Sequence, residues 1–224
     1  MFTELALVTL LAAVPATMAI PDVTAELLPT TDCSSYPGYD AASNTAGPWL
    51  IQLVDSENAA IEGFSDVSDY SISYNPATDT KPTIRWGSIS FPTNNQIAKT
   101  PLQCEAGVLQ ARVPMDLTAA GAPTSYAWTP LVLSPYPYDA ALMWMIEGDA
   151  PQIFAHYVDG VKQDGVFLGG YDNSTAWGLR YEDADQGSSG PYYYARLLGP
   201  DSADPTTGEA LYTNETRAFI KIGA

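Results

Sequence analysis

Short apolar or alternating runs, each ended by Gly, Pro, Asn or Asp, recur through this chain at intervals of roughly 8–15 residues. That rhythm leaves little room for helices, which need about 10–12 residues of 3.6-periodic pattern. The candidate strands are Trp49–Val54, Val67–Tyr74, Thr83–Phe91, Val108–Val113, Tyr126–Leu133, Leu142–Ile146, Gln152–Val158, Val166–Leu168, Thr175–Tyr181, Tyr192–Leu198 and Ala218–Ile222. Strict alternation marks Tyr70/Ile72/Tyr74, Trp177/Leu179/Tyr181 and Ala218/Ile220/Ile222, as half-buried strands require. Asp159-Gly160 and Asp164-Gly165 are primed-turn dipeptides, so 152–170 reads as tight hairpins. The segment 139–147 has helix-favouring Ala, Leu and Met, but Leu142 to Ile146 is apolar all round and reads as a buried strand. The fold class predicted is all-β: a single-domain antiparallel β-sandwich or barrel of roughly ten short strands with little helix.

Residues 1–19 read as a secretory signal peptide. Leu5 to Val14 is an apolar segment of h-region length, too short to span a bilayer; Pro15 breaks it, and Thr17-Met18-Ala19 offers a cleavage site. The n-region departs from the usual pattern, since it carries Glu4 and no cation. The rest divides into an extended N-terminal arm, 20–47, rich in Pro, Ser and Thr, and a β domain, 48–224. The C-terminal Lys221-Ile222-Gly223 sequence offers no lipid-anchor or retention signal, so a secreted, extracellular protein is expected. In an oxidising compartment the two cysteines pair most simply as Cys33–Cys104. A loop of about 70 residues closed in this way gains on the order of 4 kcal/mol in the chain-entropy model. Asn173-Ser174-Thr175 and Asn214-Glu215-Thr216 are glycosylation sequons in turn-like surroundings.

Charge and residue counts exclude several chemistries. Among 224 residues, 26 Asp/Glu stand against 9 Lys/Arg, for a net charge of −17. Scattered cations in such an excess of acid predict no nucleic-acid partner and no anionic membrane surface. One His and two Cys cannot assemble the specific zinc signatures, and the acids around Glu182 miss the EF-hand spacing, so neither a metal nor a cofactor is expected. No G-x-S-x-G elbow, aspartic-protease triplet, dinucleotide motif or P-loop is present. The run Leu142-Met143-Trp144-Met145 resembles strands on which secreted jelly-roll glycosidases carry catalytic Glu, but its own residues are uncharged. In composition the chain resembles small secreted glycoproteins of filamentous fungi, a likeness that implies no activity.

Two readings of function lead, ahead of a purely structural wall or spore protein. With 14 Tyr, 5 Trp and 6 Phe, the chain holds more aromatic surface than polar chemistry. Most of these rings are expected in the core, but Tyr192-Tyr193-Tyr194 must expose at least one ring by alternation, and Tyr136 and Tyr138 lie in a Pro-rich loop. The first reading is non-catalytic binding of carbohydrate, cell wall or surface through these five tyrosines. The alternative is a cyclase- or isomerase-like enzyme acting on a small apolar molecule in an aromatic-lined barrel pocket, with His156, Glu147 and Asp149 as its acid–base groups. Strand alternation puts His156 on one face with Phe154 and Val158, which equally describes a core histidine.

Overall fold

Residues directly opposite in an antiparallel ladder share a face, and successive residues alternate faces, so register decides which aromatics turn inward. The computed structural model describes residues 19–135, 139–183 and 190–223; the rest of the signal segment, 1–18, lies outside them, as do Tyr136 and Tyr138. The described residues form two antiparallel sheets in a sandwich-like arrangement, and neither closes into a barrel. The larger contains β1 (Thr24–Leu27), β3 (Ile51–Val54), β4 (Val67–Ser73), β5 (Thr83–Pro92), β9 (Val132–Leu133), β10 (Leu142–Trp144), β11 (Gln152–Val158), β12 (Val161–Lys162), β13 (Val166–Gly169), β14 (Ala176–Glu182), β15 (Tyr192–Leu197) and β16 (Glu215–Ile222). Its main order is β1-β11-β13-β16-β14-β15-β5-β10-β9, with β12 also paired to β11, β3 to β16 and β4 to β5. The smaller sheet runs β2 (Thr45–Trp49), β6 (Leu102–Glu105), β7 (Val108–Leu117), β8 (Pro123–Pro130). Among the described residues, helix is limited to short 3₁₀ turns such as Ala59–Ile61. No helix among the described residues is long and apolar enough to cross a membrane.

The core lies between the sheets and follows the alternation. Trp177 and Leu179 of β14 oppose Leu197 and Ala195 of β15, and Ala218 of β16 opposes Trp177 on its other side. All five are buried in one cluster with Ala111 and Val113 of β7 and Cys104 of β6. Trp177 stays satisfied there by donating Nε1–H to the Leu168 carbonyl at 2.9 Å. Trp144, at the end of β10, lies against Gly87 of β5, where a Cβ would come within 2.1 Å of its ring. A glycine is therefore required for this close approach. The strand reading of 142–146 holds for Leu142–Trp144.

The sequence-predicted elements differ from these in a few places. Cys33 and Cys104 form the expected disulfide, which fastens the 20–47 segment to β6. Within that segment β1 pairs with β11 along Thr24–Leu27, and β2 begins at Thr45. Asp159-Gly160 makes the tight turn from β11 to β12, both residues having positive φ. Asp164-Gly165 reverses nothing: β12 and β13 both pair with β11, and the register slips between them where Gln163 N–H donates to His156 O. The dipeptide there fills a bulge in one long hairpin.

Candidate functional site

The side of β15 turned away from the core carries Tyr192, Tyr194 and Arg196, set opposite Glu182, Arg180 and Gly178 of β14. On the other flank Tyr192 and Tyr194 oppose Pro92 and Ser90 of β5, and Ser90 and Ser88 in turn oppose Val67 and Asp69 of β4. Met143 of β10 opposes Ser88, and Trp86 opposes Ser71 at the outer end of the same row. Five strands thus place one band of rings, hydroxyls and charges on the side away from the core cluster, with Pro92, Ser90 and Val67 buried within it. Tyr192, Tyr194, Asp69, Ser88, Arg180 and Glu182 are half-buried, while Trp86 is exposed.

Local interactions hold the band in place. Arg180 Nε donates to Glu182 Oε1 at 2.6 Å, and its guanidinium lies 5.6 Å from the Tyr194 ring centre and 5.4 Å from that of Tyr212. Ser90 Oγ donates to Asp69 Oδ2. Burial pushes the Asp69 carboxyl up, a shift that the Ser90 hydrogen bond partly offsets. Burial likewise pushes up the Tyr192 phenol, with the Glu182 and Asp69 charges adding to the effect. Burial raises Tyr194 further, helped by the charge of Asp139. Both phenols are therefore neutral donors across the physiological range. The band combines flat apolar rings with planar hydrogen-bonding groups at their edges, which suits a ligand that is itself apolar on its faces and hydroxylated at its rim.

Beneath one end of the band lies a buried ion pair. Arg196 donates from Nε to Glu215 Oε1 and from Nη2 to Glu215 Oε2, both at 2.7 Å, with side chains 1% and 0% exposed. Gly178 makes room, since a Cβ there would sit 2.3 Å from Glu215 Oε1. Tyr212 packs its ring 4.0 Å from the Arg196 guanidinium and donates its N–H to Glu215 Oε2 at 2.8 Å. Arg196 also donates to the Ser202 carbonyl. The pair thereby fastens the segment around 202–212 over the sheet and holds Tyr212 beside Arg180.

The other sequence-predicted residues are placed as follows. Tyr193 lies on the opposite side of β15 from its neighbours, packed edge-on against Phe64 at 6.2 Å and Tyr181 at 5.6 Å, so it belongs to the core side. His156 is 1% exposed and stacks on Phe167 at 3.8 Å with Phe219 edge-on at 4.7 Å. Burial lowers its pKa to about 4, so it is a neutral core imidazole with no opening to a ligand. Glu147 and Asp149 are exposed after β10, and β13, β16, β14, β15 and β5 stand between β10 and the His156 strand in the sheet order. Asp149 borders a small cavity of about 260 Å³ with Tyr171 and Asp201. No acid–base constellation forms from the three. Asn173 and Asn214 are both exposed with positive φ. Among the described residues no group of three His, Cys, Asp or Glu is placed to hold a metal ion.

Sequence reasoning missed Trp86, Asp69, Arg180 and Tyr212 as members of the band. Tyr192 and Tyr194 could be paired by alternation alone, but the others join them through the β4–β5 and β14–β15 registers and through Tyr212's loop. No protein-family model and no curated protein matches the chain.

Proposed function

We propose that the chain is a secreted glycoprotein that binds carbohydrate without catalysis, its sugar rings stacking on Tyr192 and Tyr194 along the outward band of the larger sheet. The observation that carries this reading is the common outward side of these two rings with Asp69, Ser88 and Glu182 beside them. Sugar faces present C–H groups to aromatic rings while their hydroxyls need planar donors and acceptors at the edge. The disulfide and the exposed sequon asparagines favour an extracellular setting. A cell-wall polymer, which presents many rings in series, is the target class that best matches a band rather than a closed cavity.

The test is retention of the purified protein on insoluble glucan and chitin. Tyr192→Ala and Tyr194→Ala together are expected to weaken retention about five- to a hundred-and-fifty-fold, at about 0.5–1.5 kcal/mol per lost ring contact. Tyr181→Ala, which removes an exposed ring from the opposite side of the sheet, is expected to leave retention unchanged. Equal retention of the double variant and the parent would overturn the assignment, as would a failure of the parent to bind any wall polymer.

A further inference from the structure

A cleft of about 530 Å³ at the free edge of β4, where the two sheets meet, is a local exception to the acidity of this chain. Its volume lies within the range of about 300–1,000 Å³ common for small-molecule sites. One wall is Val67, Ser68 and Tyr70 of β4; the other includes Arg112 of β7 and Tyr126 of β8; residues 97–101 run between them and contribute Lys99. None of the lining residues is acidic, in a chain with 26 Asp/Glu and 9 Lys/Arg.

Both cations are held in place without a carboxylate in the cleft. Arg112 lies 6.0 Å from the Tyr126 ring centre, and among the described residues no Asp or Glu forms an ion pair with it. Lys99 Nζ donates to the Ser65 carbonyl at 3.3 Å and to Asn95 Oδ1 at 3.1 Å. Tyr70 donates its hydroxyl to the Gly121 carbonyl at 3.3 Å, tying β4 to the β7–β8 turn. The acid whose charge acts on Lys99 is Asp66, fully buried, with Oδ1 accepting from Ile51 N–H at 3.3 Å and Oδ2 without a partner. Burial pushes Asp66 up to about 7, so in an acidic medium it is neutral and leaves the Lys99 charge uncompensated.

We infer that this cleft binds a small sugar acid, its carboxylate taken by Arg112 and Lys99 and its ring laid against Tyr126 and Tyr70. A guanidinium matches a carboxylate with paired parallel hydrogen bonds, and the ammonium adds a second charge. Ser68 and Thr100 supply hydroxyls at the wall for the remaining sugar oxygens. Arg112, Lys99, Tyr126 and Tyr70, which would hold the ligand, are not residues of the outward band of Tyr192 and Tyr194, and the site stands independently of it.

Calorimetric titration of the full chain with D-galacturonate, with D-galactose and with inorganic phosphate at pH 5.5 tests this. Galacturonate is expected to saturate one site, with galactose and phosphate each at least about ten-fold weaker, because one lacks the charge and the other the ring. Arg112→Ala is expected to weaken galacturonate about ten- to a hundred-fold, the usual effect of losing a charged hydrogen-bond partner. Arg112 is exposed, so this variant keeps the fold; Lys99→Met provides a second, independent loss of charge. No saturable galacturonate binding, equal binding of galactose or of phosphate, or unchanged affinity in both variants would each overturn the proposal. Loss of polysaccharide retention in the Tyr192/Tyr194 variant with galacturonate binding intact would separate this site from the outward band.

Discussion

Replacing Glu215 by Ala is expected to lower the unfolding free energy by about 3–5 kcal/mol, the usual cost of leaving a buried charge without its partner. Arg196 would keep its guanidinium in a water-free site, with the Ser202 and Ala210 carbonyls as poor substitutes for a carboxylate. Tyr212 N–H would lose its acceptor as well. Urea denaturation of both proteins measures the difference. Glu215→Gln, which keeps an acceptor of the same size, is expected to lose less. The paired replacement Arg196→Met with Glu215→Leu is expected to recover most of the stability, since neither charge remains to be desolvated. All these variants retain Thr216, so the Asn214 sequon survives and glycosylation does not confound the comparison. A loss below about 1 kcal/mol for Glu215→Ala would mean that the pair is solvated in solution.

The second large effect is a dependence on pH that the wild-type chain conceals. Asp66 has a folded pKa of about 7 against an ordinary 3.8, so the folded state holds its proton more tightly than the unfolded one. Its contribution to stability is full below about pH 4 and is lost, by on the order of 4 kcal/mol, as pH rises through 7. His156 runs the other way, with a folded pKa of about 4 against 6.5. Its contribution is full above pH 6.5 and is lost, by about 3 kcal/mol, as pH falls toward 4. Between about pH 4 and 6.5 the two slopes, each about 1.4 kcal/mol per pH unit, oppose one another. Asp66→Asn is therefore expected to lose stability steadily on acidification across that window, because only the His156 slope remains. His156→Phe, which keeps a ring between Phe167 and Phe219, is expected to lose stability as pH rises. Thermal unfolding at half-unit pH steps distinguishes them; parallel profiles for both variants and the parent would contradict the assignment of these two groups.

The fold was legible wherever a strand buries alternate β-branched or aromatic residues. Trp177/Leu179/Tyr181 and Ala218/Ile220/Ile222 point their alternate residues to the core as their pattern predicts, Tyr181 only at its rim. Among the strands absent from the sequence reading, β6 does bury Leu102 and Cys104 alternately but over only four residues, while two others form for reasons outside their own residues. β1 is Thr-Ala-Glu-Leu, a mostly exposed sequence without strand preference, and it exists through its ladder to β11. β2 holds Gly47 and Pro48, which mark breaks in most contexts, yet the Cys33–Cys104 bridge brings this part of the chain to β6. The candidate site was half legible. Alternation separates Tyr193 from Tyr192 and Tyr194, but nothing in the local pattern says which side faces the core. That follows from Leu197 and Ala195 meeting Trp177 and Leu179, a pairing set by the β14–β15 register. Arg196 and Glu215, 19 residues apart, carry no local signal of their pairing. The cationic cleft depends on Lys99 and Arg112 arriving from separate elements, which a list of nine scattered cations conceals.

The reading of the outward band as a sugar-binding surface is tested most directly by amide NMR of the isotope-labelled chain titrated with a soluble chitin or glucan hexasaccharide. Whichever polymer retains the protein is expected, as its hexasaccharide, to shift the resonances of Ser88, Tyr192, Tyr194 and Arg180 together along one saturable curve, and to leave those of β6 and β7 in place. Absence of any saturable shift with either sugar, or shifts clustered on the smaller sheet with the band unmoved, would contradict it.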